Sequence, residues 1–504
     1  MGSRALEYAL PQVRLFADSN IFLRYLVGLK FSLKISVNIL SFNHGCALSW
    51  PSPTLPILSG DHSPLGGPLT ELQASLVASS FGVGAILGTP LSGWLVDRIG
   101  RKKAVMANAL PFMIGWTLKL VWLHPTALIC ARFVAGFGGG GNLVLTPIYS
   151  SEVASLEARG ILGSLLMVAG NLGIIAGYVL GDYLSYFNAL VVQLSIPFIF
   201  VILMSRMPES PSYLIKTNQL KVFNSHLLLF YFKLIMSHHK VSASYEQKLI
   251  NLILDYLFQV KSPPSLRVLA LIMALYTGQI FTGNMAVVTF AHSIFQEAGS
   301  SLSPSMSSLV VGCLQLAGSL VATSLIERLG RKILILSSCC TVAISMASLG
   351  TYIYLRDTGH DLSTVSWIPV TALSLFVSTF SMGIGPVLYV LVSEIIVLFW
   401  SWVSIFLINL FFAKAVNVFG SHTVFWGFAV VGCLCFIITA IFVPETKCKP
   451  IEEITAHFGG KSYKTSQKGN NEEEGELFLK VKKVFNDGIQ LKNNNETTID
   501  SVSN

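Results

Sequence analysis

The stretch Val96-Asp-Arg-Ile-Gly-Arg-Lys102 is written a second time in this chain, 230 residues later, as Ile326-Glu-Arg-Leu-Gly-Arg-Lys332. Two further pairs keep the same order and nearly the same offset. Pro147-Ile-Tyr-Ser-Ser-Glu152 is echoed by Tyr389-Val-Leu-Val-Ser-Glu394, and Pro208-Glu-Ser210 by Pro444-Glu-Thr446. Three ordered pairs mark a duplicated unit rather than chance. Each copy of the first motif places a glycine among charges between two long apolar runs, as a tight turn between helices requires.

The apolar runs decide what the duplicated unit is. The 504 residues are 52% hydrophobic and only 12% charged, with a mean hydropathy of +0.64. That is about half the charged fraction of soluble domains. Runs long enough to cross a bilayer recur roughly every 30 to 40 residues. The expected spans are 35–56, 72–96, 104–122, 126–150, 161–181, 186–205, 267–292, 305–326, 332–354, 368–393, 395–416 and 422–443. The fold class is therefore an all-α membrane protein, with twelve transmembrane helices in two pseudo-symmetric six-helix bundles. The first half covers 35–205 and the second 267–446. A linker, 206–266, joins them, an N-terminal segment covers 1–34, and a tail covers 447–504, expected to be disordered from about 461, where Lys, Asn and Glu replace apolar residues.

The formal charge of +8 is no nucleic-acid signature, because Lys and Arg lie in the gaps between spans. With twelve spans, Arg98–Lys103, Arg328–Lys332, the linker and both termini share one side. The positive-inside rule makes that side the cytoplasm. Val222–Met236 is apolar but short, and a span there would put Arg328–Lys332 outside, so it reads as part of the linker. No cleavable signal peptide is visible in the first twenty residues, which hold Arg4, Glu7, Arg14 and Asp18. The eight cysteines show no metal or disulfide spacing and read as packing residues. No nucleophile–base pair, metal-ligand cluster or Gly-x4-Gly-Lys phosphate loop is found, so neither an enzyme nor an ATP-driven pump is expected, and no cofactor or metal.

Charged residues concentrate at the motif level of each half. Asp97, Arg98, Arg101, Glu152, Arg159 and Glu209 lie there in the first, and Glu327, Arg328, Arg331, Glu394 and Glu445 in the second. Opposite charges that meet only when this side closes would form a breakable gate. Each exposed pair is worth only about 0.2–1 kcal/mol, so several are needed. The plainer alternative is that these charges only set topology. Gly84, Gly88 and Gly138–Gly141 would permit close helix approach.

At these residues the chain resembles the sugar porters of the major facilitator superfamily. The resemblance covers about 35–456 and rests on an ordered set of motifs: Gly93-x3-Asp-Arg-x-Gly-Arg-Lys, Arg132-x3-Gly-x-Gly, Pro147-x-Tyr-x2-Glu, Arg159-Gly160, Pro208-Glu-Ser-Pro211, Gly383-x-Gly-Pro386 and Pro444-Glu-Thr-Lys-x3-Ile-Glu-Glu453. Trp50-Pro-Ser-Pro-Thr-Leu-Pro56 and Glu297-Ala-Gly-Ser300 are similar to the insect facilitated trehalose and hexose transporters. The resemblance implies passive, alternating-access transport of a small sugar across a lipid bilayer, as a multi-pass protein, with the plasma membrane expected; it leaves oligomeric state open.

Carried over residue by residue, the family's sugar contacts fall on Gln279 and Thr282 in span seven, Gln315 in span eight and the span-eleven aromatic Trp400. Asn284 stands one place from the family's span-seven Asn, and Tyr389 replaces its span-ten Trp. Asn171, with Asn43 and His44, is a further polar residue at similar depth. Polar residues at mid-membrane usually face a cavity; a helix-to-helix hydrogen bond is the alternative, and His44 alone reads as structural. Departures include Ile280 for the second span-seven Gln, Met285 for the Asn, and Ser212 for an Arg. The family's short polar loop after Glu394 is absent, with no Gly or Pro from Val387 to Phe419, which raises a second reading: a non-transporting sugar sensor or defective splice product. Proton-coupled members carry an acid where this chain has Gly45, so a uniporter is expected.

Overall fold

The computed structural model describes residues 36–153, 159–207, 209–210, 213, 263–299, 302–385 and 395–443. Backbone N–H and C=O groups have no water to bond in a bilayer, so apolar segments there close their hydrogen bonds internally as helices. Among the described residues the first half holds α1 (36–49), α2 (Pro51–Ser59), α3 (Glu71–Ile99), α4 (Arg101–Ala107), α5 (Ala109–Val121), α6 (Pro125–Val153), α7 (Arg159–Tyr183) and α8 (Tyr186–Ser205). The second half holds α9 (Pro263–Phe281), α10 (Asn284–Ala298), α11 (Pro304–Leu329), α12 (Arg331–Asp357), α13 (Ile368–Met382), α14 (Ile395–Phe419) and α15 (Ser421–Phe442).

Ten of the described helical segments are long and apolar enough to cross a membrane. With the broken first segment, α1–α2, and the fifteen-residue α13, twelve spans result. Three of the twelve are interrupted: α1–α2 at Trp50-Pro51, α4–α5 at Asn108, and α9–α10 at Thr282-Gly283. The last differs from the continuous span seven expected from hydropathy. Gly283 sits at φ 94°, ψ 5°, a left-handed conformation that ends a helix and that glycine adopts without a side-chain clash.

The sequence repeat is also a backbone repeat. Gly100 adopts φ 96°, ψ 163° and Gly330 φ 87°, ψ 163°, each ending one long helix and starting the next. Both positive-φ turns need glycine, which is why the motif carries one. We call the end of the bundle with Gly100 and Gly330 the motif end, and the other the far end. At the far end α3 starts with a reciprocal cap: Thr70 N–H donates to Gln73 Oε1 (3.0 Å) and Gln73 N–H to Thr70 Oγ1 (3.3 Å).

Within the first half α3 packs along α6, and α5 against α6 and α8; within the second, α12 packs on α15 and α13, and α11 on α13. The halves meet along α3 with α14 and α7 with α11. All this lies in one compact unit, Met1–Ser242 with Ile272–Lys447; the other, Ala243–Leu271 with Cys448–Asn504, contributes only the start of α9 to the described residues. The apolar linker segment at 222–236 and the tail lie outside them. Span ten, expected at 368–393, is described as helix to Met382. Span eleven, which the missing loop threatened to shorten, is a full 25 residues, Ile395–Phe419.

Candidate substrate path and gates

The break in span seven creates the chemistry of the middle of the bundle. α9 ends at Phe281, and the Thr282 backbone N–H still bonds the Gly278 carbonyl (2.9 Å), so Gln279 and Thr282 sit together in its last turn. Thr282 Oγ1 donates to the Gln279 carbonyl (2.6 Å) and caps the broken end. Gln279 and Asn284, on either side of the break, are 5% and 2% exposed, and their Oε1 and Oδ1 acceptors have no protein partner. Two buried amide acceptors left open in an apolar bundle are costly unless a ligand or water meets them. Their chemistry suits the hydroxyl groups of a sugar.

Gln315 Nε2 donates to Asn171 Oδ1 (3.3 Å), joining α11 to α7 across the two halves. Here both readings of a mid-membrane Gln coincide, since the helix-to-helix bond lies at the seam. Trp400 is 37% exposed and its Nε1–H donates to Thr277 Oγ1 (2.7 Å). Tyr389 lies outside the described residues.

Sequence reasoning missed Trp402 and Asn409. Trp402 is 3% exposed, packs its ring against His44 (6.2 Å between centroids) and Phe81 (6.0 Å), and has an unpartnered indole N–H. Asn409, in the same helix, is buried with its Oδ1 unpartnered. Asn409 was findable as the one amide in the run 395–416. Choosing between Trp400 and Trp402, two residues apart on opposite faces, needs the helix orientation.

Gly45 has a structural cause in this chain. A Cβ there would come within 2.0 Å of the Gly170 carbonyl oxygen, so α1 touches α7 too closely for any side chain. The nearby buried guanidinium of Arg132 is satisfied without a carboxylate. It donates to the backbone carbonyls of Ala47, Val77 (3.1 Å) and Ala78 (3.5 Å), tying α6 to α1 and α3. Lys119, also buried, lies between the rings of Trp50 and Trp116, 3.8 and 3.9 Å from their centroids.

At the motif end Arg101 organises the first half. Its Nε lies 3.0 Å from Glu152 Oε2 and its Nη1 3.4 Å from Asp97 Oδ1, with the guanidinium over the Tyr213 ring. Glu209 accepts from the backbone N–H of Lys102 (2.8 Å), at the start of α4, where an anion is favoured. Arg98 lies over the Trp94 ring. These bonds join residues of one half. Arg331 is half-buried. The side chains of Arg159, Glu327 and Arg328, and all of Glu394 and Glu445, lie outside the described residues. Among the described residues no cluster of metal-ligating side chains occurs.

Two bundles of six, related by the motif glycines and meeting along α3–α14 and α7–α11, define a major facilitator fold. The same arrangement is found in the partially occluded inward-open xylose transporter XylE from E. coli (TM-score 0.68, 21% identity, 84% of this chain and 100% of that one). The human organic anion transporter MFSD10 is more distant, at a TM-score of 0.54 and 17% identity, covering 81% and 99%. The family model described as "Sugar (and other) transporter" matches residues 46–458, and the chain belongs to that family. Relatives include proteins named facilitated trehalose transporter Tret1. The one from Aedes aegypti is 28% identical over 457 residues, covering 86% of this chain but 56% of that longer protein. The one from Culex quinquefasciatus is also 28% identical over 457 residues, covering 86% and 87%.

Proposed function

We propose that this protein is a facilitative sugar transporter that moves trehalose or a hexose such as glucose by alternating access, as a uniporter. The observation that carries the reading is the pair of buried, uncommitted amide oxygens of Gln279 and Asn284 beside the span-seven break. They lie in a protein whose family transports sugars and whose relatives are named for trehalose. Gln315, Asn171, Trp400, Thr282 and Tyr389 complete the proposed sugar-facing set. Uniport is supported by Gly45, where no carboxylate fits, and by Arg132, which bonds to backbone carbonyls. Flux then follows the sugar gradient.

The motif end is assigned to the cytoplasm because Arg98–Lys103 and Arg328–Lys332 cluster there. Both termini then share that side, in a plasma-membrane protein of residues 35–205 and 267–446 joined by a cytoplasmic linker. Asp97, Arg98, Arg101, Glu152, Arg159 and Glu209, with Glu327, Arg328, Arg331, Glu394 and Glu445, form its cytoplasmic gate. A sensor or defective product is not favoured, since the helix after Glu394 keeps full span length.

Uptake of labelled trehalose and glucose in oocytes tests this, with surface expression checked, with and without a proton gradient, beside Gln279→Ala. Saturable uptake that ignores the gradient and weakens in the variant is expected. A protein that reaches the surface and moves neither sugar would overturn it.

A further inference from the structure

The outer wall of the first half carries a groove. Ala107, Leu110, Pro111 and Ile114 of α4 and α5 form one side, and Phe133, Val134 and Phe137 of α6 form the other. Its volume is about 340 Å³, and its lining is wholly apolar. The polar residue at the helix break, Asn108, is turned inward and donates to the Gly138 carbonyl (2.9 Å). Leu110 and Ile114 are 55% and 50% exposed, so the groove opens outward. Both sides belong to segments that cross the membrane, Arg101–Val121 and Pro125–Val153, so the groove faces the hydrocarbon of the bilayer.

The α4–α5 side of the groove ends in a cation. Lys103, Ala107, Leu110, Pro111 and Ile114 stand at i, i+4, i+7, i+8 and i+11, which is one helical face. That face is continuous, because Arg101–Val121 runs as one 21-residue span across the break. Lys103 is exposed and unpaired among the described residues. The other charges of this end are committed. Lys102 Nζ donates to the Ser205 carbonyl (2.8 Å), Arg101 holds Glu152 and Asp97, and Glu209 accepts from the Lys102 backbone N–H. From Lys103 to Ile114 the helix rises about 16 Å. That is half of a hydrocarbon core of about 30 Å, so the stripe spans one leaflet.

We infer that this groove binds one phospholipid of the motif-side leaflet, with an acyl chain laid from Ala107 to Ile114 and an anionic headgroup on Lys103. The apolar trough accepts a chain of any phospholipid. Lys103 adds the selection, because a lysine near the bilayer surface favours an anionic headgroup over a zwitterionic one. The internal repeat supplies a control. Lys103 corresponds to Ile333 of the second half, 230 residues on, which is 57% exposed, so the second copy has no cation at that place. One site per chain follows, not two. The inference stands on the membrane-spanning fold and does not depend on transport or on which sugar is carried.

Native mass spectrometry of the full chain in detergent tests it, with phosphatidylserine and phosphatidylcholine of matched chains added separately. Wild type is expected to keep one phosphatidylserine under activation that strips phosphatidylcholine. Lys103→Gln should cut that retention several-fold, to the phosphatidylcholine level. Ala107→Trp fills the groove with Lys103 intact and should also lose phosphatidylserine. Both side chains face outward, and an unchanged thermal midpoint without added lipid shows that the variants fold. Ile114→Trp, further along the groove, repeats the test if Ala107→Trp folds poorly. Phosphatidylserine should also raise the wild-type thermal midpoint, as a ligand of the folded state does, where the soluble headgroup glycerophosphoserine does not. Equal retention of the two lipids by wild type overturns the site. So does phosphatidylserine retention that survives in both groove-filling variants, or a soluble headgroup that shifts the midpoint as far as the lipid does.

Discussion

The α3–α6 pair and the α9–α10 break use glycine for opposite ends. Along α3 and α6, glycines in helical conformation let two backbones touch: a Cβ at Gly84 would lie 1.8 Å from the Phe133 carbonyl oxygen, and one at Gly136 2.0 Å from that of Phe81. The region is completed by Arg132, whose guanidinium is bonded to backbone on two neighbouring helices. At α9–α10, Gly283 takes a positive φ and stops a helix in the middle of the bundle. Nearby amide oxygens are left without protein partners. One region is closed to everything but itself, and the other is left open for a ligand. Stability and recognition are thereby placed in different halves, so damage to each should read out differently.

The sharpest break in that comparison comes from Gly84→Leu. The added side chain meets backbone, which cannot rotate away, so loss of folded protein at the surface is expected, beyond the about 1–3 kcal/mol of ordinary overpacking. Arg132→Leu comes next. It leaves three carbonyls of α1 and α3 without their charged donor, at about 3–5 kcal/mol, seen as a lower thermal midpoint in detergent. Gly283→Ala forces a side chain into the left-handed region, about 1–2 kcal/mol, and into the Phe428 ring. Its uptake rate should fall more than its thermal midpoint. Gln279→Ala is the mildest for the fold. The thermal midpoint should hold while the half-saturating sugar concentration rises about 2- to 12-fold, the equivalent of one hydrogen bond of about 0.5–1.5 kcal/mol. If Gln279→Ala instead unfolds the protein with uptake affinity unchanged, the division between the two regions fails.

Much of the architecture was legible because it depends on local chemistry. Twelve apolar runs, and two motif glycines that need positive φ, are visible in any reading of Val96–Lys102 and Ile326–Lys332. The close-contact role of Gly84 followed from residue type. Less legible was whatever depends on which face a helix presents. Gln279 and Thr282 fall in one helical turn, but that the helix breaks directly after them was not legible. Trp400 and Trp402 are equivalent in sequence, yet one bonds Thr277 and the other packs on His44 and Phe81. Arg101, Asp97 and Glu152 were grouped by depth, and the fold pairs them within one half.

By itself, then, the sequence determined that this is a duplicated, twelve-span membrane protein of the sugar-porter type. Hydrophobic run length, charge placement and glycine turns act over a few residues and leave their mark in order along the chain. Only the tertiary structure decided which polar atoms stay uncommitted and why no carboxylate fits at Gly45. Those outcomes depend on helix rotation and on contacts between distant segments, set by packing the two halves together.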